Sequence, residues 1–164
     1  MSSKLVLGEG SKNPKIIFVG EAPGKEEEKK GRPFVGRAGR LLRKTITESG
    51  VNIKDCYITN VVKVRPMDEE GGNRTPDKKE IKKFLPILRK ELQKFPSALI
   101  VLLGNTALQA LLAGQGLKIA RNHGIFTAKN ERLYYITYHP SAALRFQKNL
   151  KIFKGDIARL RSFI

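Results

Sequence analysis

The sequence lacks tryptophan and has a single cysteine, Cys56, among its 164 residues. One cysteine excludes an intrachain disulfide, which agrees with a reducing compartment, and Cys56 beside a predicted strand is interpreted as a small buried apolar residue. The chain also lacks an apolar run long enough to cross a bilayer, and we find no signal peptide. We therefore expect a cytoplasmic protein that does not bind membranes.

Acidic residues are scarce as well. The chain has 32 lysines and arginines against 15 aspartates and glutamates, so its formal net charge is 32 − 15 = +17. Such an excess costs self-repulsion and indicates a polyanionic partner, with nucleic acid favoured. The alternative is that the lysines only cover solvated helix faces. A phosphate-binding loop of the G-x-x-x-x-G-K-[ST] type is absent, which disfavours a nucleotide-phosphate enzyme.

The apolar pattern alternates between strands and helices without repeats or an interdomain linker. It predicts one α/β domain over residues 1–164, a monomer, with three αβα layers around a mostly parallel sheet of four to five strands. Thr75 and Pro76 are predicted to begin a helix that Pro86 kinks or breaks. The predicted strands cover residues 16–20, 57–62, 98–104, 125–128 and 133–138, and the predicted helices cover residues 36–49, 76–94, 106–113, a short segment from 141, and 150–163.

Three segments carry the chemistry of the chain. Residues 20–24 (Gly-Glu-Ala-Pro-Gly) follow an apolar strand, residues 31–36 (Gly-Arg-Pro-Phe-Val-Gly) follow them, and residues 138–145 place a histidine on a proline-fixed turn. In α/β sheets the pocket lies outside the carboxyl ends of the strands, so the loops after Val19, Val62 and Tyr138 should meet there. Together the segments predict a glycine-rich pocket with an aromatic face, suited to a flat, polar ring.

These segments, with residues 59–63 (Thr-Asn-Val-Val-Lys) and 72–76 (Gly-Asn-Arg-Thr-Pro), resemble the uracil-DNA glycosylase superfamily, most closely its family 4 branch. The resemblance implies a monofunctional DNA glycosylase that flips uracil out of DNA, hydrolyses its N-glycosidic bond and initiates base excision repair. Two alternatives stay open. The enzyme could act on another deaminated base such as hypoxanthine or xanthine, or the protein could bind damaged or single-stranded DNA without catalysis.

The resemblance also implies roles for individual residues. Phe34 would stack on the flipped base, Asn60 would read its Watson–Crick edge, and His139 would stabilise the anionic leaving base. Alone, Phe34 could be a core residue and Asn60 could make a local turn bond. The other implied residues of the base pocket and the hydrolytic step are Gly20, Glu21 (water or sugar cation), Ala22, Glu27 (beside the base) and Asn73 (water or DNA backbone).

Contacts to DNA outside the pocket are implied for two loops. Arg74 could bind phosphate from one of them, while Ser141, Leu144 and Arg145 match the family's minor-groove loop. Leu144 would fill the gap left by the flipped base, with core packing as the competing interpretation. Glu26 and Glu28 are interpreted as parts of a solvated loop.

The chain departs from family 4 in one respect. That branch holds an iron–sulfur cluster with four cysteines, two of them expected before Gly8, whereas Val64 and Phe84 stand where the other ligands are expected. One cysteine cannot hold such a cluster, so we expect no cofactor and no metal.

A sliding clamp is a further conceivable partner. Gln147, Leu150 and Phe153 faintly resemble a clamp-binding peptide, but the second aromatic residue is missing. Their spacing suits the buried face of a helix, and we interpret them as core.

Overall fold

A computed structural model describes residues 4–164. A six-stranded sheet with the order β1-β3-β2-β4-β6-β5 forms its centre. Strands β2, β4, β6 and β3 pair in parallel, and β1 and β5 are antiparallel edges. The elements are β1 (Glu9–Gly10), β2 (Ile16–Gly20), α1 (Lys25–Lys30), α2 (Arg37–Glu48), β3 (Cys56–Asn60), α3 (Lys78–Gln93), β4 (Leu99–Leu103), α4 (Asn105–Leu112), α5 (Ile119–Asn122), β5 (Phe126–Lys129), β6 (Arg132–Thr137), α6 (Pro140–Arg145) and α7 (Gln147–Arg159), with 3₁₀ turns at Ile53–Asp55 and Leu160–Phe163.

The sheet buries both of its faces, which explains its continuous apolar strands. In β2, Ile16 and Phe18 join one core cluster and Ile17 and Val19 join the other, as the two-residue period of a strand requires. Helices α2, α6 and α7 cover the first cluster, and α3 and α4 cover the second. The predicted three-layer αβα architecture is confirmed.

Some predicted details are wrong. The sheet has six strands rather than four or five, because the two-residue strand β1 is too short to leave an apolar pattern. The helix α3 begins at Lys78 rather than at Pro76. Its N-cap is Asp77, whose side chain accepts from the Glu80 amide at 2.8 Å.

Pro86 neither breaks nor ends α3, which runs unbroken to Gln93. The proline is on the exposed face of the helix, and so is Lys82, whose carbonyl loses its helical donor. Water can satisfy that carbonyl, which explains why the helix continues. Residues 25–30, which hold Glu26 and Glu28, form the short helix α1 rather than a loop.

Other details agree with the sequence. Phe153 is fully buried and Leu150 packs against the first core cluster, so these two clamp-like residues lie on the inner face of α7, whereas Gln147 is exposed. Cys56 is also buried in that cluster, where burial and the nearby charge of Asp55 raise its thiol pKa to about 12. Among residues 4–164, none of the helices has the length and apolarity needed to cross a membrane.

Candidate active site

A cavity of about 370 Å³ opens at the carboxyl ends of β2, β3 and β6. It lies where parallel α/β sheets place their ligand sites. All three segments singled out in the sequence, residues 20–24, 31–36 and 138–145, reach it, together with the loop after β3. Its lining residues are Ala22, Gly24, Lys25, Glu26, Glu27, Phe34, Gly36, Arg37, Ala38, Gly39, Asn60, Asn73, His139, Ser141 and Leu144.

Asn60 contributes a buried amide to this cavity. It is the last residue of β3, is 3% exposed, and its Oδ1 atom has no hydrogen-bond partner within the described chain. A Cβ atom on Gly20 would lie 2.6 Å from this oxygen and 2.4 Å from the Phe34 ring, so Gly20 leaves room for both. A buried amide oxygen without a partner is costly, and a ligand donor would remove that cost.

His139 caps helix α6 with its ring. Its Nδ1 atom accepts from the Ser141 backbone amide at 3.1 Å and from the Ser141 hydroxyl at 2.7 Å. An accepting Nδ1 leaves the proton of the neutral ring on Nε2, so Nε2 is a donor. Burial lowers the pKa of His139 to about 4, against the opposing charge of Glu27. The site therefore holds a neutral imidazole at physiological pH.

Phe34 forms an aromatic side of the cavity in an uncommon backbone conformation. Its φ angle is +53°, and its ring centroid lies 5.8 Å from that of His139. Gly39 of α2 touches the Phe34 backbone, where an added Cβ would come within 2.1 Å of its carbonyl carbon. Arg43 donates to the carbonyls of Phe34 and Pro33, each at 2.9 Å. The ring is thus held in place from outside the cavity, although it also belongs to the first core cluster.

Glu27 fixes the loop that carries Phe34. Its carboxylate accepts backbone amides of Gly24 at 3.1 Å, Val35 at 2.8 Å and Gly36 at 2.5 Å. One side chain of α1 therefore joins residues 20–24 to residues 31–36. Glu27 lines the cavity, and both of its carboxylate oxygens already accept hydrogen bonds.

Asn73 enters the cavity from the loop between β3 and α3. Its Oδ1 atom accepts from Arg65 Nε at 2.7 Å, and Arg65 also donates to the Gly71 carbonyl at 2.9 Å and faces Glu28 at 3.6 Å. A guanidinium only donates, so it must face the amide oxygen of Asn73. The amide nitrogen, beside Gly24, is left to donate towards the cavity.

Four predicted residues are not on the lining of the cavity, namely Gly20, Glu21, Arg74 and Arg145. The carboxylate of Glu21 accepts from the Thr106 hydroxyl at 2.6 Å, near the start of α4. Arg74 donates to Glu80 at 2.6 Å and to the Met67 carbonyl at 2.8 Å, so its guanidinium is engaged within the protein.

The segment from 139 to 145 meets the cavity through two of its residues. Ser141 and Leu144 line it, and Leu144 is partly exposed and belongs to neither core cluster. Arg145 is exposed at the end of α6. The alternative that Leu144 is a core residue therefore has no support from its packing.

A buried ionic network behind Asn60 was not expected from the sequence. Lys63 is fully buried and its Nζ atom donates to the Asn60 carbonyl at 2.6 Å, to Thr59, and to Glu91 of α3. Glu91 also accepts from Tyr57 at 2.8 Å. Burial lowers the pKa of Lys63, against the attraction of Glu91. A lysine that ends an otherwise apolar run, Val61 to Lys63, was the one signal in the sequence.

Comparison with known proteins gives consistent matches. The family model described as "Uracil DNA glycosylase superfamily" matches residues 7–161. A type-4 uracil-DNA glycosylase of Thermotoga maritima is 40% identical over 165 residues, which cover 99% of this chain and 84% of that protein. Proteins of the same description from Pyrobaculum aerophilum and Saccharolobus solfataricus are 38% and 35% identical, covering 92% and 95% of this chain and 82% and 74% of their own lengths.

Proposed function

The chain belongs to the uracil DNA glycosylase superfamily, and we propose that it is a monofunctional DNA glycosylase that removes uracil from DNA. It would thereby initiate base excision repair. The observation that carries this proposal is the unpaired amide of Asn60, set in one cavity with the ring of Phe34 and the neutral ring of His139. An amide, an aromatic face and a neutral donor are what a flipped pyrimidine needs.

Base recognition would use the strand-end amide. Uracil presents a donor at N3 and an acceptor at O4 on its Watson–Crick edge, and an amide offers the complementary pair. The N3–H group of the base would donate to Asn60 Oδ1, which has no partner in the described chain. The ring of Phe34 would replace part of the stacking that the base loses on leaving the duplex.

Bond cleavage would depend on His139. Breaking the N-glycosidic bond leaves negative charge on the base oxygens, and a donor aimed at such charge lowers the barrier. The Nε2–H group of the neutral ring would donate to the base oxygen, since Ser141 occupies Nδ1. Because the Nδ1 acceptor is set before the substrate binds, the donor needs no tautomer change during the reaction.

The attacking water needs a group that accepts its proton, and we assign this role to Glu21. Asn73 presents its donor side, because Arg65 holds its oxygen. Glu27 already accepts three backbone amides. Glu21 directly follows Gly20, the neighbour of Asn60, and its one bond in the described chain is from Thr106 to Oε2. Its Oε1 atom remains for the water or for the cationic sugar.

We further propose that this enzyme works without the iron–sulfur cluster of family 4, because the residues present do not fit one. Phe84 is part of the second core cluster and Val64 packs against it, at the two internal positions where ligands are expected. Cys56 is buried in the first cluster, on the other face of the sheet. Apolar packing therefore occupies the place that thiolates would need.

A strand-cleavage assay tests the proposal. Purified protein is incubated with labelled oligonucleotides that contain uracil, hypoxanthine, xanthine or thymine opposite each base, and the products are treated with alkali. Cleavage at uracil only after alkali is the expected result. Cleavage only at a purine lesion would show that the pocket accepts another deaminated base. DNA binding without any cleavage would show that the protein is a noncatalytic DNA-binding protein.

A further inference from the structure

The side chain of Phe146 is exposed beside the candidate active site. It is 62% exposed, the highest value among the exposed large apolar side chains of residues 4–164. Its extended backbone, with φ −134° and ψ +128°, separates helix α6 from helix α7. It stands two residues after Leu144, which lines the cavity. Its aromatic ring is therefore available to a ligand, two residues from a side chain that lines the cavity.

Positive charges occur at regular intervals on both sides of Phe146 in the sequence. Arg145, Lys148, Lys151 and Lys154 occur at every third position, and all four are exposed. Within the described chain none of them has an ion-pair or hydrogen-bond partner. Consecutive members on α7 are about 4.5 Å apart along the axis. We call these four residues the cation band.

No acidic residue balances the cation band along the chain. Between Glu131 and Asp156 the sequence contains no aspartate or glutamate, and Asp156 itself is 2% exposed. The inner face of α7, with Phe153 and Ile157, is buried in the first core cluster. This surface therefore offers a ligand one aromatic ring and a line of cations, and no wider apolar face.

We propose that Phe146 and the cation band bind the DNA strand outside the pocket, with Phe146 stacked on a base next to the target nucleotide. The proposal deepens the proposed function and rests on it for the identity of the strand. An aromatic ring with free cations is the chemistry that binds single-stranded nucleic acid without reading its sequence. Unpaired bases offer free faces, whereas bases of a duplex are covered by their neighbours. The surface thus favours single-stranded DNA.

Binding to uracil-free DNA tests this without any need for catalysis. Fluorescence anisotropy compares a 12-residue thymidine strand with a 12-residue abasic strand that has the same phosphates. The Phe146→Ala variant should bind the thymidine strand about 5- to 150-fold more weakly and the abasic strand with wild-type affinity. Phe146→Trp should keep the affinity, and Phe146→Leu should lose it. Lys148→Gln with Lys151→Gln should weaken both strands and lower the salt dependence.

Phe163 provides the matched control. It is 40% exposed at the other end of α7 and stacks on Phe126 of the edge strand, so Phe163→Ala should leave both affinities unchanged. Equal losses on both strands, or no loss on the thymidine strand for Phe146→Ala, would overturn the proposal. Uracil excision by the wild-type protein is measured separately, so a failure of the glycosylase assignment is distinguishable from a failure of the stacking assignment.

Discussion

The cavity has two walls that are held in different ways. Asn60 and His139 form a strand-end wall, because Asn60 is the last paired residue of β3 and His139 is the second residue after β6. Phe34 and Asn73 form a loop wall, and hydrogen bonds of other side chains hold their loops, namely those of Arg43, Glu27 and Arg65. The strand-end wall can move only if the sheet moves, whereas the loop wall depends on a few removable hydrogen bonds.

This difference separates chemistry from positioning. The residues of the strand-end wall would touch the reacting base and its leaving charge, so their loss should act on the chemical step. The residues that hold the loop wall act through other residues, so their loss should weaken the fit of the base more than the bond cleavage. The two walls should therefore differ in which kinetic constant a substitution changes, and by how much.

The largest effect is expected for His139→Ala. Removing a donor that is aimed at developing negative charge costs about 10²–10³ in rate. Single-turnover kinetics with a uracil-containing oligonucleotide should show this loss in the rate at saturation, with little change in DNA affinity. The thermal unfolding midpoint provides the control, because among residues 4–164 the ring hydrogen-bonds only to Ser141. A rate within threefold of wild type would remove His139 from the chemistry.

The second-largest effect is expected for Asn60→Ala. Its rate of uracil excision should fall about 10²-fold, because a buried amide that reads the base edge is removed. The partner variant is Asn60→Asp, which keeps the shape and loses the amide donor. If Asn60 reads the base, Asn60→Asp should shift the preference from uracil towards cytosine in a base panel. Unchanged preference in this variant would show that the base is recognised elsewhere.

Glu27→Ala tests the loop wall. The variant leaves three backbone amides without their acceptor and should destabilise the protein by about 1–3 kcal/mol. Activity should fall about tenfold or less, chiefly through a higher KM, because Phe34 is then less well fixed. Denaturant unfolding and steady-state kinetics measure the two effects. A fall in kcat as large as that of His139→Ala would instead mark Glu27 as a catalytic residue.

Arg65→Met should have a smaller effect and lower kcat/KM about three- to tenfold, because the side chain of Asn73 is then free to rotate. A double-mutant cycle shows whether Arg65 acts through Asn73 or only supports the structure. In an Asn73→Ala background the Arg65 substitution should cost nothing further in activity. If the two losses add, Arg65 does not act through Asn73.

The smallest effect concerns pH. With a pKa of about 4, His139 should stay neutral and activity should not decline through its protonation between pH 8 and pH 5. The unfolded chain takes up that proton near pH 6.5, so the contribution of His139 makes the protein less stable as the pH falls from 6.5 to 4. NMR titration of the ring, assigned with His139→Gln, gives the midpoint. A midpoint at 6.5 would contradict a donor that is neutral at physiological pH.

The strand-end wall could be predicted from the sequence, and the loop wall only in part. Asn60 ends β3 and His139 is the second residue after β6. The apolar runs of both strands are plain, and parallel strands bring their carboxyl ends together. The loop wall depends on contacts between distant residues, such as Arg43 with Phe34 and Arg65 with Asn73, and these leave no periodic pattern. Family resemblance supplied Phe34 and Asn73, while their supporting arginines became visible only in three dimensions.

Errors in the fold have similar physical causes. Strand β1 has two residues and no period to detect. The break expected at Pro86 assumed that the lost hydrogen bond has no substitute, but the exposed side of α3 offers water. Asp77 outcompetes Thr75 as the N-cap because Glu80 lies three residues later and completes a capping box.

The buried state of Cys56 has a practical consequence for spectroscopy. A thiol with a pKa of about 12 in the first core cluster carries almost no thiolate at neutral pH, so maleimide dyes should leave it unlabelled while the protein is folded. The protein therefore already behaves as a cysteine-free background. One cysteine introduced on the exposed face of α7 would carry a single fluorophore, without any need to replace Cys56 first.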